Sequence, residues 1–264
     1  MISLLYHDVV EPHDLSSSGF GGGDADIYKL TRTEFELHLE MLDRASGRGE
    51  VAVLDSVARQ LSGKSLLLTF DDGGASAVVV ASLLEQRGWR GHFFITTDYI
   101  GKPGFVTADQ IRDLHRRGHV IGSHSCSHPT RMSHCTEAEL KREWMASSQI
   151  LSETLGEKLR VASVPGGFYS RRVAESAAEA GIEVLFNSEP TVRTAQVNGC
   201  LVLGRFSVQQ GVSARRVVSI AQGTWLPRFQ QYLFWNAKTI AKRLGGSHYL
   251  ALRKSLLKDP GSMR

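Results

Sequence analysis

Ser65–Gly74 reads SLLLTFDDGG: an apolar run and a threonine lead into Phe70, and two acids and two glycines close it. An unbroken apolar run of this length that ends in turn residues predicts a strand buried on both faces, as in a parallel sheet. Side chains alternate faces along a strand, so Asp71 and Asp72 cannot both face inward while the strand stays regular. They belong where the strand ends and the backbone turns, a change of direction that Gly73 and Gly74 allow. Active sites of barrel and open α/β folds are built at such C-terminal strand ends. Taken alone, Asp-Gly between apolar runs fits a hairpin turn equally well, so the rest of the chain has to decide.

Outward from this stretch, strand-like and helix-like segments alternate from Ser65 to Gln222. Ala75–Arg87 reads as a helix stopped by Gly88, His92–Thr96 as a strand, and Thr107–Arg117 as a capped helix. Val120–Ser123 is again strand-like, and Thr136-Glu-Ala-Glu139 has the spacing of a capping box that opens a helix to Leu155. Val161–Val164, Val184–Phe186 and Cys200–Leu203 complete the strands, with a helix at Arg171–Ala180. Before Ser65, Ile2–Tyr6 is a short strand, Thr31-Arg-Thr-Glu34 a further capping box, and Ser16–Asp26 a flexible loop. Val51–Leu54 reads as extended, followed by a short helix before Gly63. Ser213–Gln222 and two helices between Arg228 and Lys258 finish the chain. Such alternation predicts βαβ units around a parallel sheet, and seven or eight units close into a barrel. No G-x-G-x-x-G follows the first strand, which speaks against a dinucleotide fold. A single domain is expected: a barrel over residues 1–210 and a helical extension over 211–264 packed on it.

The 264 residues are 42% hydrophobic and 22% charged, with a net charge of +4, an ordinary globular composition. No run approaches membrane-spanning length, and MISLLY is too short for a signal peptide. Cys126, Cys135 and Cys200 lack framework spacing, so reduced thiols and a cytoplasmic location are expected. Charge is unevenly placed: Ser213–Arg264 holds ten Arg and Lys against one acid, Asp259. Aromatics from Trp225 to Tyr249 are interleaved with those cations. They suit either a solvated helical pair that packs its rings on the core or contact with an anionic surface. Phosphate-bearing lipid or a lipid-linked sugar would provide such a surface, with association on the cytoplasmic face of a membrane. No zinc-finger, RNP or helix-turn-helix pattern supports nucleic acid.

Chemistry concentrates in a second stretch, Val120–Arg131 (VIGSHSCSHPTR). Pro129 biases His128 toward an extended backbone, and Ser and Gly flank the pair His124/His128, so both sit on a loop leaving a strand end. Two imidazoles at one strand end and two carboxylates at another suit a catalytic divalent metal with open positions for water and substrate.

TFDDG (Thr69–Gly73) together with HSCSHP (His124–Pro129) resembles the first two motifs of the polysaccharide deacetylases, the NodB-homology group of metal-dependent carbohydrate esterases. The resemblance runs from about Ile2 to Val208. It implies a partial (β/α)7 barrel, with a helical basic C-terminal extension beyond it, and removal of N-acetyl groups from an amino sugar. Asp71 would be the general base, and Asp72, His124 and His128 the ligands of a divalent metal, zinc first, with Co, Ni, Mn or Fe as alternatives. A metal lowers the pKa of water it binds and polarises the acetamide carbonyl, and a neighbouring carboxylate accepts the proton. Ser163–Gly167 lies at the third motif, so Gly166 would give the oxyanion amide, with Tyr169 and Arg205 as further substrate-binding residues. Two departures stand out. The arginine expected to orient the base is Ser163 here, though Arg205 can approach from another strand end. Leu203–Val208 also lacks the histidine that protonates the leaving amine, and His7 is the candidate substitute. The substrate would be an N-acetylated saccharide, either a polysaccharide or a glycan-biosynthesis intermediate. Hydrolysis of another C–N bond and saccharide binding without turnover are the competing readings.

Overall fold

The computed structural model describes residues 1–59, 61 and 64–236. The helix expected before Gly63 and the second of the two expected near the C-terminus fall wholly or partly outside these residues. In chain order the strands are β1 (Ile2–Tyr6), β2 (Val9–Val10), β3 (Leu30–Thr31), β4 (Leu66–Phe70), β5 (His92–Ile95), β6 (Val120–Ser123), β7 (Val161–Ser163), β8 (Val184–Phe186), β9 (Thr194–Val197), β10 (Cys200–Leu203) and β11 (Phe206–Ser207). The α-helices are α1 (Gly23–Asp26), α2 (Arg32–Arg44), α3 (Ala77–Glu85), α4 (Ala108–Arg116), α5 (Glu137–Leu155), α6 (Arg171–Glu179) and α7 (Ala214–Ala221). Residues 225–236 are helical as well.

The main sheet runs β11-β1-β4-β5-β6-β7-β8-β10-β9, and every pairing in it is parallel except β10 with β9. Its two ends belong to one stretch of chain. β10 pairs with β8, the chain breaks at Gly204-Arg205, and β11 resumes against β1 with Leu4 opposite Phe206. The curled sheet is therefore a partial barrel of seven parallel staves, the last of them broken in two, as the strand–helix alternation predicts. A helix is strongly favoured between parallel neighbours, and α3, α4, α5 and α6 fill these crossovers around the outside.

Strand parity sorts the side chains into two apolar layers. Leu66, Leu68 and Phe70 of β4 face the helices in the larger cluster, and Leu67 faces inward with Phe94, Val120, Val161, Val184, Phe186 and Leu203. Space inside is tight. A Cβ on Gly122 would lie 2.5 Å from the Phe94 ring, so only glycine fits at that point of β6. The three helices with capping-box spacing form as expected: Thr31, Thr107 and Thr136 each accept from the backbone N–H three residues on, and Glu34, Gln110 and Glu139 reciprocate.

Two features depart from expectation. Ser16–Asp26 is tied down rather than free: Ser18 is buried, its Oγ donates to Asp8 Oδ1 at 2.5 Å and accepts from Ser76 N, and α1 forms within the stretch. A strand also appears at β9, joined to β10 by a tight turn through Asn198 and Gly199, both at positive φ (49° and 83°). Asn-Gly is the strongest short-range hairpin signal a sequence carries. Beyond β11, α7 buries Ala214, Val217, Ile220 and Ala221 and packs on α2.

Candidate metal centre and active site

The inward parity of the strands continues past their ends and assembles the site. In β4 the inward positions are 67, 69 and 71, so Asp71 faces the barrel interior; its N–H still donates to Tyr6 O at 3.0 Å. A regular strand would turn Asp72 outward. Instead Asp72 adopts φ 74°, a left-handed conformation uncommon for a non-glycine residue, and so brings its carboxylate to the same side. On β6, Val120 and Gly122 face inward and His124 follows them. Ser163 does the same at the end of β7.

Asp72, His124 and His128 offer three ligand atoms that all lie within 4.8 Å of one another. His124 Nε2 is 3.4 Å and His128 Nε2 3.5 Å from Asp72 Oδ1. His124 Nδ1 donates to Ser163 O at 3.2 Å, which orients the ring and leaves Nε2 to ligate. Burial, then the charge of His124, pushes His128 down to about 4, so its imidazole is neutral near pH 7 and ready to ligate. Burial alone would raise Asp72, but hydrogen bonding to His124 and the charges of His7 and His128 hold it well below the usual carboxylate range. Two imidazole nitrogens and one ionised carboxylate, converging and held by outer partners, fit a divalent cation.

His128 reaches this position in a way that its neighbour Pro129 does not suggest. Its φ is 59°, left-handed rather than extended, and Ser125 is left-handed too at 66°. Local hydrogen bonds outweigh the proline preference. Ser123 Oγ accepts from Ser125 N at 3.0 Å, and Ser125 Oγ accepts from His128 N at 3.1 Å. Beneath the loop lies Glu143 of α5, a buried carboxylate that sequence reading missed. It accepts from Cys126 N at 2.9 Å, Ser127 N at 2.7 Å and Ser127 Oγ at 2.7 Å. An acid three residues after Leu140 and beside Trp144, on the buried stripe of a helix, was the available signal. Cys126 turns away from the ligands, its Sγ donating to Asp98 Oδ1 at 3.2 Å.

Asp71 is clamped. Arg205 Nη1 donates to its Oδ1 at 2.6 Å and Nη2 to its Oδ2 at 2.8 Å, while Ser163 Oγ lies 3.1 and 3.2 Å from the two oxygens. The remaining Arg205 donors go to Thr69 Oγ1, Ser163 Oγ and Asn187 O, and the guanidinium lies near the Phe94 and Phe186 rings. Arg205 is thus enclosed (0% exposed) and has no donor turned to a substrate, which corrects its placement among substrate-binding residues. It occupies the break between β10 and β11. Gly204 makes that break: a Cβ there would stand 2.3 Å from Glu189 O. Burial pushes Asp71 up, but the Arg205 charge, then His124 and the hydrogen bonds from Arg205, leave it below the usual carboxylate range.

His7 continues the inward parity of β1, and its charge is felt at both Asp71 and Asp72. Its ring lies 4.5 Å from that of Tyr28, and Nδ1 is buried with no hydrogen-bond partner. Gly166, at φ 64°, lies beside the histidine loop, 3.2 Å separating its would-be Cβ from Thr130 O. Tyr169 is not drawn in; it is half-buried and packs against the outer core. Phe20 is, unexpectedly: its ring lies 4.8 Å from His128 and also meets Tyr99 and Phe105.

The sequence model of the family described as polysaccharide deacetylase matches residues 58–185. Over this stretch the chain resembles the polysaccharide deacetylases. This match contains Asp71, Asp72, His124, His128 and Ser163, whereas His7 and Arg205 lie outside it. YxkH of Bacillus subtilis is 22% identical over 215 residues, 80% of this chain and 72% of YxkH. The peptidoglycan-N-acetylglucosamine deacetylase PgdA of Listeria monocytogenes is 29% identical over 132 residues, 49% of this chain but 26% of PgdA. A polysaccharide deacetylase from Bacillus cereus shares the fold of the domain, with a TM-score of 0.69 at 15% identity, over 83% of this chain and 68% of that one. No described helix of the chain is long and apolar enough to cross a membrane.

Proposed function

We propose that this protein is a metal-dependent hydrolase that removes N-acetyl groups from an amino sugar, in a polysaccharide or an intermediate of glycan synthesis. The observation that carries the reading is the convergence of Asp72, His124 and His128 beside a separate carboxylate, Asp71, whose orientation Arg205 and Ser163 fix. What a divalent ion, zinc first, would supply among the three ligands is Lewis acidity, which polarises the acetamide carbonyl and acidifies the attacking water.

This chain's own residues do the rest. Asp71 stays ionised and, because Arg205 engages it from behind, keeps a fixed lone pair for the proton of the water that attacks the acetyl carbon. A carboxylate of low pKa suffices for a water made acidic. The Gly166 N–H is assigned to the oxyanion of the tetrahedral intermediate. Collapse breaks the C–N bond, and the departing amine takes a proton. His7 is assigned as donor, because its Nδ1 is buried without a partner and its ring stands within electrostatic reach of both aspartates. The peptidoglycan substrate in the name of PgdA agrees with an N-acetylated saccharide as the class to test.

Acetate release from N-acetylated glucosamine oligomers by the metal-reconstituted protein tests the proposal. Stoichiometric metal with no acetate released from any acetylated amino sugar would favour saccharide binding without turnover.

A further inference from the structure

The helix over residues 225–236 turns an apolar stripe to the outside, unlike an ordinary surface helix. At about 100° per residue, Trp225, Leu226, Phe229, Tyr232 and Leu233 fall within one sector of about 120°. That sector faces outward: Trp225 is 64% and Leu226 55% exposed, and the other three are exposed as well. Trp225 and Phe229 stack on each other at 4.6 Å. The opposite side is mixed: it carries Gln230 and Gln231, the buried Pro227 and a further exposed ring, Phe234 (68%). Gln231 Nε2 donates to Ser207 O at 2.6 Å, and Arg216 donates to Gln230 Oε1 and to Pro227 O. Arg228 borders the stripe on the same helix, and among the described residues none of Arg215, Arg216 and Arg228 pairs with a carboxylate. The sequence that follows, 237–264, adds seven Lys or Arg against Asp259 alone.

We infer that this stripe docks on an anionic lipid surface. Trp and Tyr combine an apolar body with a polar tip suited to the headgroup boundary, and each basic residue near such a surface adds about 1 kcal/mol. A second copy of the chain fits less well. The stripe is on the order of 18 Å by 10 Å, far below the roughly 800 Å² per partner of a standard interface. Its direction has a consequence for the site. The helix starts near Ile2, at the far end of β1, since a Cβ on Gly223 would lie 3.9 Å from Ile2 Cδ1. It then reaches Ser207, whose register partner is Leu5, near the end of β1 where the metal ligands gather. Docking would therefore lay the flank of the barrel on the lipid, with the strand ends that carry the site alongside the surface. The inference rests on the helix face and the charge beside it, and does not depend on the deacetylase reading.

The test is flotation of the full-length, metal-loaded protein with vesicles of phosphatidylcholine, with and without phosphatidylglycerol. Binding to the anionic vesicles alone, weakened by salt, is expected. Trp225→Ser/Phe229→Ser should weaken partition by roughly tenfold or more, because two large rings no longer leave water, with an unchanged thermal melt since both are exposed. In brominated lipid, quenching of Trp fluorescence should be largely lost in Trp225→Phe while binding persists. Partition of the double variant within twofold of the parent, no binding to anionic vesicles, or a concentration-dependent dimer abolished by the double variant would each overturn the inference; should that variant fold poorly, Leu226→Asn serves in its place.

Discussion

Replacing Arg205 by Met keeps much of the volume and apolar stem but deletes the two hydrogen bonds of 2.6 and 2.8 Å that hold Asp71. Asp71 is left buried, with Ser163 as its remaining direct donor. Breaking a buried ion pair from one side costs about 3–5 kcal/mol, because the surviving charge is uncompensated. Once the arginine is gone, burial pushes the Asp71 pKa up, and the carboxylate loses the fork that aims it at the water. Loss of general-base assistance alone is worth about 10²–10⁴ in rate. Arg205→Lys should do little better, since an ammonium cannot reproduce the two-pronged fork. The double variant Arg205→Met/Asp71→Asn removes both charges and should recover much of the stability while staying inactive. Urea melts of the metal-loaded protein and its variants, run with acetate-release assays, measure both quantities. A loss under about 1 kcal/mol for Arg205→Met, or a double variant no more stable than the single, would refute the reasoning.

Glu143→Leu should weaken metal affinity by about 10–100-fold, on the scale of a lost outer partner, because the N–H groups of Cys126 and Ser127 lose their acceptor; chelator competition reads it. Stability should also depend on His92, which accepts from Leu54 N and donates to Leu68 O inside the barrel. Burial pushes its pKa to about 4, so between about 6.5 and 4 the unfolded chain binds the proton and the folded one does not. That contribution is complete above pH 6.5, and up to about 3 kcal/mol is lost as pH falls to 4; melts at two pH values should show a shallower slope in His92→Gln. His7→Gln should leave metal content and melting unchanged and slow acetate release by about 10²-fold, whereas full activity in that variant would remove His7 from the reaction.

The sequence made the barrel legible because each βα unit is local: an apolar run, a turn, a capped amphipathic helix. It also marked Asp71, Asp72, His124 and His128, since each pair is adjacent or four apart. What it hid depends on distance. Arg205 meets Asp71 across 134 positions: the resemblance offered it as a substitute for the missing arginine, but no local pattern fixes that contact or the break in the strand beside Gly204. Glu143 lies 16 and 17 positions from the amides it holds. Hydrogen bonds through Ser123 and Ser125 overturn the local rule for a residue before proline, so that His128 is left-handed. The β9–β10 hairpin is the reverse case: Asn198-Gly199 announced it, and the strand–helix rhythm concealed it.

The division of labour between neighbouring aspartates is the central claim, and the metal content of Asp71→Asn tests it most directly. The account predicts one bound metal per chain, as in the parent, and no acetate release. Loss of the metal in that variant would contradict it, because Asp71 would then be a ligand and not the base.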